Sequence, residues 1–213
     1  MYTSVVNFFQ DGGPFMYLIL MVLAIGIAIA LERYIYLSVS RRNNRRLLVK
    51  LMPLMQKGDY QSAYNITAKS GAAVSQMLSQ GIARMKSASN RRDDIETAME
   101  ETMMEAIPRL EKRTHYLAMF ANIATLLGLL GTIIGLIEAF TAVSKVDPAQ
   151  KAEILSSSIS VAMNTTAFGL MVAIPMIFIY TVLQTKTTEI VDSLEMATVK
   201  FVNLMMVRKK VSD

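Results

Sequence analysis

The sequence predicts an all-α integral membrane protein with three transmembrane helices and long cytoplasmic helical extensions. Three apolar stretches, at residues 15–31, 116–137 and 159–183, contain no charged side chain. A helix that crosses a bilayer needs about 17 to 25 mostly apolar residues, and each stretch meets that length. Outside the stretches, apolar residues recur at helical spacing and no strand-like alternation is visible.

Charges and turn residues divide the chain into seven segments. These are a periplasmic N-terminal segment (1–13), transmembrane helix 1 (14–38), a cytoplasmic helical region (39–114), transmembrane helix 2 (115–140), a periplasmic loop (141–154), transmembrane helix 3 (155–184) and a cytoplasmic C-terminal helix (185–213). In the cytoplasmic region, two runs with helical spacing supply candidate core residues, namely Leu47, Leu48, Leu51, Leu54 and Met77, Leu78, Ile82, Met85.

Glycine and proline residues predict where several helices begin, end or turn. The Gly-Gly-Pro run at 12–14 is expected to end a short helix near residues 5–9 and to open the first span. Breaks are expected at 58–59 and 70–71. A helix that starts after Ser89-Asn90 is expected to continue through Pro108 into the second span, and Pro148 to lie in the turn of the periplasmic loop. The tail is expected to extend the third span as one helix.

Basic residues give the topology. No Lys or Arg precedes the first apolar stretch, and six follow it: Arg33, Arg41, Arg42, Arg45, Arg46 and Lys50. By the positive-inside rule the N-terminus is outside and this cluster is cytoplasmic. We interpret the first apolar stretch as a transmembrane helix that stays in the mature protein. A cleaved signal peptide is disfavoured, since the residues before the stretch lack a basic n-region. A topology signal with lipid headgroup contact explains the cluster better than nucleic-acid binding does.

Composition argues against enzymatic and metal chemistry. The chain has no cysteine and one histidine, His115, which is expected to anchor the interface beside Tyr116. Neither a metal cluster nor an intramembrane catalytic dyad nor a nucleotide-binding loop is visible. We therefore expect no enzyme activity, metal or cofactor, and no nucleic-acid partner.

Polar side chains inside the second and third spans are the candidate functional groups. Polar groups in lipid are costly unless they face a partner, a cavity or an ion path. We expect an ion pathway lined by Thr125, Thr132, Ser160, Asn164, Thr165 and Thr166, and a helix-packing seam formed by Gly128, Gly131, Gly135 and Gly169. A single threonine often only bonds the carbonyl four residues earlier, so a pure packing role is the alternative. No carboxylate lies deep in a span; Glu32 and Glu138 are near its boundaries.

Two motifs resemble a known family. The run Leu-Leu-Gly-Leu-Leu-Gly-Thr-Ile-Ile-Gly-Leu-Ile at 126–137 is similar to the second-span signature of the ExbB/TolQ/MotA proton-channel (stator) family. Thr-Ala-Phe-Gly-Leu-Met-Val-Ala-Ile-Pro at 166–175 resembles its third-span signature. The predicted topology also matches, and the compact insert and short tail look closest to ExbB- and TolQ-like biopolymer transport proteins.

The resemblance implies a motor subunit of the bacterial inner membrane. Such proteins form homopentamers around a dimer of a single-span partner similar to ExbD, TolR or MotB. The partner's intramembrane aspartate takes up the coupling ion, and ion flow powers outer-membrane transport or envelope maintenance, with a TonB-like protein as a possible further partner. By this resemblance Thr132 and Thr166 would face the partner's aspartate.

One position departs from the family pattern. ExbB- and TolQ-like proteins carry a glutamate five residues before the second threonine, where this chain has Val161. The departure puts a proton relay by this subunit in doubt and leaves sodium open, because hydroxyl and carbonyl oxygens suit a hard cation. The resemblance favours protons as the transported ion, because proton coupling is the commoner behaviour in the family. A sodium-driven or flagellar- or gliding-type stator and a non-conducting membrane scaffold are the alternatives.

Overall fold

The structure, a computed structural model, describes residues 12–86 and 91–212, and the side chains up to residue 207. These residues form six helices and no strand: α1 (Phe15–Lys57), α2 (Tyr60–Ala68), α3 (Ala73–Lys86), α4 (Arg92–Glu111), α5 (Thr114–Val143) and α6 (Pro148–Ser212). The all-α prediction is confirmed. Three of the helical segments are long and apolar enough to cross a membrane, as the sequence predicts, and they contain α1, α5 and α6. The expected helix near residues 5–9 lies outside the described residues.

Turn chemistry explains where α1 ends and α2 begins. Gly58 takes the left-handed backbone conformation, with φ of 76°, which costs glycine nothing. Asp59 is the N-cap of α2, and its carboxylate accepts a hydrogen bond of 3.0 Å from the backbone N–H of Ser62. Hydrogen bonding from the Ser62 side chain, and next from its backbone N–H, lowers the pKa of the Asp59 carboxyl below its ordinary value of 3.8. The breaks expected at 58–59 and 70–71 are both present.

The expected continuous helix from the fourth helix into the second span is wrong. Helix α4 contains Pro108, as predicted, but ends at Glu111, and α5 begins anew at Thr114. Between them Arg113 takes a left-handed conformation, with φ of 63°, which interrupts the run of helical hydrogen bonds. The residues before α4, 89–90, lie outside the described part of the chain, so the expected start signal there stays a prediction.

The connection between α5 and α6 is shorter than the sequence suggests. Most of the expected loop at 141–154 is helical, and only residues 144–147 join Val143 to Pro148. Pro148 is the first residue of α6 and not part of the turn. Proline suits that position because its N–H would have no helical partner there and its φ is already helical. The prediction that the third span and tail form one helix is confirmed by the 65 residues of α6.

The chain divides into two compact units. The first comprises Met1–Glu32 and Arg113–Val182, of which the structure describes residues 12–32 and 113–182. Its core is a cluster of apolar side chains from α1, α5 and α6: Met16, Ile19, Ala121, Ala124, Phe168, Val172, Ala173 and Met176. Large apolar side chains also point outward, including Leu126, Ile137, Ile174 and Phe178, each at least 60% exposed. A helical unit that exposes this much apolar surface suits a lipid environment.

The second unit comprises Arg33–Lys112 and Leu183–Asp213. Its core combines residues from five helices, centred on Leu51, Met77, Ile82, Met99 and Phe201, all at most 1% exposed. The ring of Tyr60 meets that of Phe201 edge to face, with centroids 6.4 Å apart. The predicted runs at 47–54 and 77–85 are therefore helical and contribute to this core.

Buried and exposed arginines hold α1 within the second unit. The Arg33 guanidinium is 2% exposed and donates to the backbone carbonyls of Arg109 and Leu110 at the C-terminal end of α4. Those carbonyls lack helical partners and carry partial negative charge, so a cation is favourable there. Further along α1, Arg41 forms an ion pair of 2.9 Å with Glu189 of α6.

Candidate ion-pathway site

Close contact between α5 and α6 in the first unit depends on two glycines. A methyl group added at Gly169 would lie 2.7 Å from the carbonyl oxygen of Ala124, and one added at Gly128 would lie 3.2 Å from the Cα of Thr166. Both neighbours are backbone atoms, which cannot move aside without moving a helix. Any larger residue would therefore separate the two helices.

The other two glycines of the predicted seam meet side chains of α6. A methyl group at Gly131 would lie 2.5 Å from Cγ2 of Thr165, and one at Gly135 would lie 3.0 Å from Cβ of Ala162. All four glycines thus face α6 or α5 at short range. The contact extends over two turns of each helix, so the small residues run along a continuous line.

The hydroxyl of Thr166 joins the two helices at the middle of this line. It donates a hydrogen bond of 2.8 Å to the backbone carbonyl of Gly128. In an α-helix the same carbonyl accepts the N–H of the residue four positions later, which here is Thr132. One carbonyl therefore lies between the two threonines that the sequence singles out.

Thr132 is half-buried, and its hydroxyl donates a bond of 2.6 Å to the carbonyl of Leu129 in its own helix. A hydroxyl has one proton to donate and two lone pairs that accept. Because the protons of both Thr132 and Thr166 are held by backbone carbonyls, each oxygen has only lone pairs left. Such oxygens can accept a proton donor, such as a neutral carboxylic acid, or coordinate a hard cation.

Thr165 lies at a different place from its neighbour. It is 2% exposed, and its hydroxyl is within 2.6 Å of the carbonyl of Gly12 and 3.1 Å of the carbonyl of Val161. The hydroxyl therefore links the turn before α1 to the first third of α6. The sequence signals this turn through its Gly-Gly-Pro run but does not indicate its partner.

The remaining predicted pathway residues make no hydrogen bond to the neighbouring helix among the described residues. Thr125 is exposed, and its hydroxyl donates to Ala121 in its own helix at 3.1 Å. Ser160 is exposed and Asn164 half-buried, and neither side chain has a hydrogen-bond partner among residues 12–86 and 91–207. Five of the six predicted pathway residues, all except Thr165, therefore lie at least partly open to the surroundings of the unit, where another chain could contact them.

The uncharged stretches at 15–31, 116–137 and 159–183 contribute neutral oxygens and no carboxylate. Glu32, at the end of the first span, pairs with Arg113 at 3.0 Å, and both side chains are about half exposed. Val161 occupies the position of the family glutamate, and a methyl group added to Gly13 would lie 3.7 Å from its Cγ1. An apolar side chain therefore fills this place beside the turn at 12–14.

Comparison with known proteins shows which families and proteins this chain is similar to. A family model described as the MotA/TolQ/ExbB proton channel family matches residues 69–196, which is more than half of the chain. The match covers α3, α4 and α5 in full and α6 as far as residue 196. Both threonines and all four seam glycines lie inside it.

Three curated relatives show different extents of similarity. A putative biopolymer transport protein ExbB homolog of Methanothermobacter thermautotrophicus is 29% identical over 195 residues, covering 91% of this chain and 67% of the relative. The biopolymer transport protein exbB1 of Vibrio cholerae is 44% identical over 59 residues, covering 28% of this chain and 26% of that protein. The Tol-Pal system protein TolQ of Haemophilus influenzae is 36% identical over 83 residues, covering 39% and 36% of the two chains. The chain thus spans well under half of the two bacterial relatives.

Proposed function

Since the chain belongs to the MotA/TolQ/ExbB proton channel family, we propose that it is an ExbB/TolQ-like stator subunit that converts an ion gradient into mechanical work. It acts with a single-span partner similar to ExbD or TolR. The work serves outer-membrane transport or envelope maintenance. The names of the relatives, which include biopolymer transport and Tol-Pal proteins, support this class of function.

The observation that carries the proposal is the pairing of Thr132 and Thr166 around the carbonyl of Gly128. The Thr166 hydroxyl bonds the carbonyl of Gly128, and Thr132 follows Gly128 by one helical turn on α5, in a unit suited to lipid. Both hydroxyl protons are held by backbone carbonyls, so only the lone pairs of the two oxygens remain for a further ligand. A partner that offers a proton donor or a cation at this place would use them.

The proposed mechanism divides the chemistry between two chains. The partner's intramembrane aspartate takes up the ion, because this chain has no carboxylate between residues 115 and 137 or between 154 and 184. Thr132 and Thr166 accept a hydrogen bond from the protonated aspartate or coordinate the cation, which lets a neutral form pass the apolar wall. Asn164 and Ser160, on the accessible side of α6, extend the polar surface along the path.

Assembly and orientation complete the proposal. A homopentamer of this chain surrounds a dimer of the partner, with the N-terminus outside and the C-terminus inside the inner membrane. The asymmetry of the charges supports the orientation: no Lys or Arg precedes the first span, and five of the basic residues after it lie between 41 and 50. The exposed apolar surface of the first unit supports contact with lipid or with neighbouring subunits.

Protons are the proposed coupling ion, with sodium as the alternative. Val161 in place of the family glutamate removes one proton acceptor from this chain. The remaining oxygens come from hydroxyl, amide and carbonyl groups, which are ligands that Na⁺ also accepts. The same geometry therefore serves either ion, and a flux measurement distinguishes them.

A non-conducting scaffold is the second candidate. It is favoured by one observation: the hydroxyls of Thr125, Thr132, Thr165 and Thr166 all donate to backbone carbonyls. In that case the same residues only hold helices together, and the partner aspartate carries no ion.

The experiment that tests the proposal is ion flux into liposomes that contain this chain and its candidate single-span partner. Proton and sodium gradients are applied separately, and the partner's Asp→Asn variant is the control. We expect flux of one cation that disappears in the control. Equal flux in the control would show that the partner's aspartate does not carry the ion. No flux from a verified complex under either gradient would favour the scaffold.

A further inference from the structure

We propose that the exposed basic face of α1, formed by Arg42, Arg45, Arg46 and Lys50, is a binding site for anionic lipid headgroups. The ligand chemistry is a phosphate monoanion on a lipid such as phosphatidylglycerol. The proposal concerns this chain in a bilayer and does not depend on the partner or on ion flux.

The structure separates the six basic residues that follow the first apolar stretch into two groups. Arg33 is buried, where it donates to the carbonyls at the end of α4. Arg41 is held by Glu189 at 2.9 Å. Both are committed to contacts inside the second unit, so a count of basic residues in the sequence overstates the charge that is free for a ligand.

The other four basic residues, which form the proposed face, have no such contact inside the second unit. All are exposed, and none forms an ion pair within residues 12–86 and 91–207. At 100° per residue they fall within an arc of about 140° on α1, opposite the buried residues Asn44 and Leu51. Like charges so close together repel one another, and an anion relieves that repulsion.

These side chains frame a shallow, open depression on the outer face of α1. Together with Arg41 and Val49 they line a depression of about 860 Å³. Val49, at its centre, is 68% exposed. An apolar floor surrounded by guanidinium groups fits a lipid headgroup, which presents glycerol carbons beside its phosphate. Arginine also binds phosphate oxygens in bidentate geometry.

The position of the face along α1 fits the headgroup layer. Tyr34 and Tyr36 are 52% and 42% exposed, and tyrosines of this kind mark the boundary between hydrocarbon and water. Arg42 and Arg46 follow Tyr36 by six and ten residues, or about 9 and 15 Å along a helix. Long arginine side chains extend back toward the interface, so both reach the phosphate level. Lys50, one turn further, acts through its field within about 8 Å.

Other occupants are less consistent with these observations. Nucleic acid would need access to a face that lies next to the tyrosine boundary of a membrane span. A second copy of the chain could offer the exposed carboxylates Glu100, Glu101 and Glu105 of α4, which have no ion pair among the described residues. Close placement beside a span favours lipid, and the test below separates the two.

The test compares the full chain with its Arg45→Gln/Arg46→Gln variant in bilayer nanodiscs of phosphatidylcholine with a minority of phosphatidylglycerol. The measurement is the association constant of fluorescent phosphatidylglycerol from energy transfer to the protein. Each cation near the surface is worth about fivefold in binding, so the variant should lose roughly twentyfold. A matched control, Arg91→Gln/Arg92→Gln, removes equal charge from arginines already paired with Asp94 and Glu96 and should lose little.

Several results would overturn the proposal. Unchanged lipid binding in the variant is one, and an equal loss in the control is another. Displacement of the lipid by millimolar inorganic phosphate would assign the site to a free anion. Dissociation of the oligomer in the variant without anionic lipid present would assign the face to contact between copies. If the first variant fails to fold, Arg42→Gln/Lys50→Gln removes two other charges of the face and gives the same readout.

Discussion

The hydroxyl of Thr166 donates a hydrogen bond of 2.8 Å to the backbone carbonyl of Gly128 on the neighbouring helix. The bond is possible only because Gly128 and Gly169 let the backbones of α5 and α6 approach closely. Thr132 lies one turn beyond Gly128 on the same helix. The packing of glycines therefore brings the Thr166 hydroxyl to α5 one turn before Thr132, and seam and polar site are parts of one arrangement.

Gly169→Ala should destabilise the first unit by about 1–3 kcal/mol, because the added methyl group overpacks the seam. It would lie 2.7 Å from the carbonyl oxygen of Ala124, which is backbone and cannot rotate away. Thermal unfolding of the purified chain in detergent measures the effect. Gly71→Ala is the control, since a methyl group there meets no atom within 4 Å. Equal stability of the two variants would contradict the close approach.

Thr165→Val should release the turn at 12–14 from α6, since it removes the hydroxyl that is 2.6 Å from the carbonyl of Gly12. The expected cost is about 1 kcal/mol, as for other hydrogen bonds between membrane helices. Hydrogen exchange should accelerate at the start of α1. Thr165→Ser keeps the hydroxyl and should exchange like the wild type. If both variants behave alike, the methyl contact with Gly131 and not the hydroxyl holds the turn.

Arg33→Met should cost the second unit about 1–3 kcal/mol, because the buried carbonyls of Arg109 and Leu110 lose their donor. Arg41→Met removes an ion pair whose side chains are about half exposed, and it should cost less than about 1 kcal/mol. Chemical unfolding of the two variants gives the comparison. A larger effect at Arg41 would mean that the partly exposed pair contributes more than the buried donor.

Asp59→Ala should weaken the start of α2 at neutral pH and have less effect in acid. The bond from Ser62 lowers the pKa of the Asp59 carboxyl in the folded chain. A lowered pKa adds stability above the ordinary value of 3.8, and that stability is lost as the pH falls through the lower, folded value. The stability difference between wild type and variant, measured from pH 7 to pH 2, should therefore shrink below about pH 4. A constant difference would show that the charge of Asp59 makes no contribution.

The sequence predicts much of the fold because the main signals are local. A few neighbouring residues are enough to recognise each of them. They are the apolar runs long enough to cross a bilayer, the helical spacing around Leu51 and Met77, and the glycine turn at 58–59. The break at Arg113 is not recognisable in this way, because an arginine with positive φ has no local signature. Tertiary contacts set that conformation, and propensity alone favours a continuing helix.

The candidate site is only partly predictable for a similar reason. The stripe of Thr125, Gly128 and Thr132 is visible from helical periodicity, but periodicity does not say which hydroxyl crosses to another helix. Thr165 and Thr166 are adjacent in sequence and point about 100° apart, so one binds Gly12 and the other Gly128. Both partners are backbone carbonyls of glycine, and these acceptors carry no side-chain signal. Only the packed helices reveal them.

The most direct test of the central claim is proton flux through the reconstituted complex of the Thr132→Val/Thr166→Val variant with the single-span partner. Valine keeps the shape and removes both hydroxyl oxygens. Thr141→Val is the matched control, since the Thr141 hydroxyl is exposed and donates to Ile137 in its own helix. The account predicts that an intact double-variant complex loses at least about tenfold in flux, or roughly 1.4 kcal/mol in barrier height, while the control conducts normally. Wild-type flux in the double variant would contradict the account and leave these threonines as packing residues.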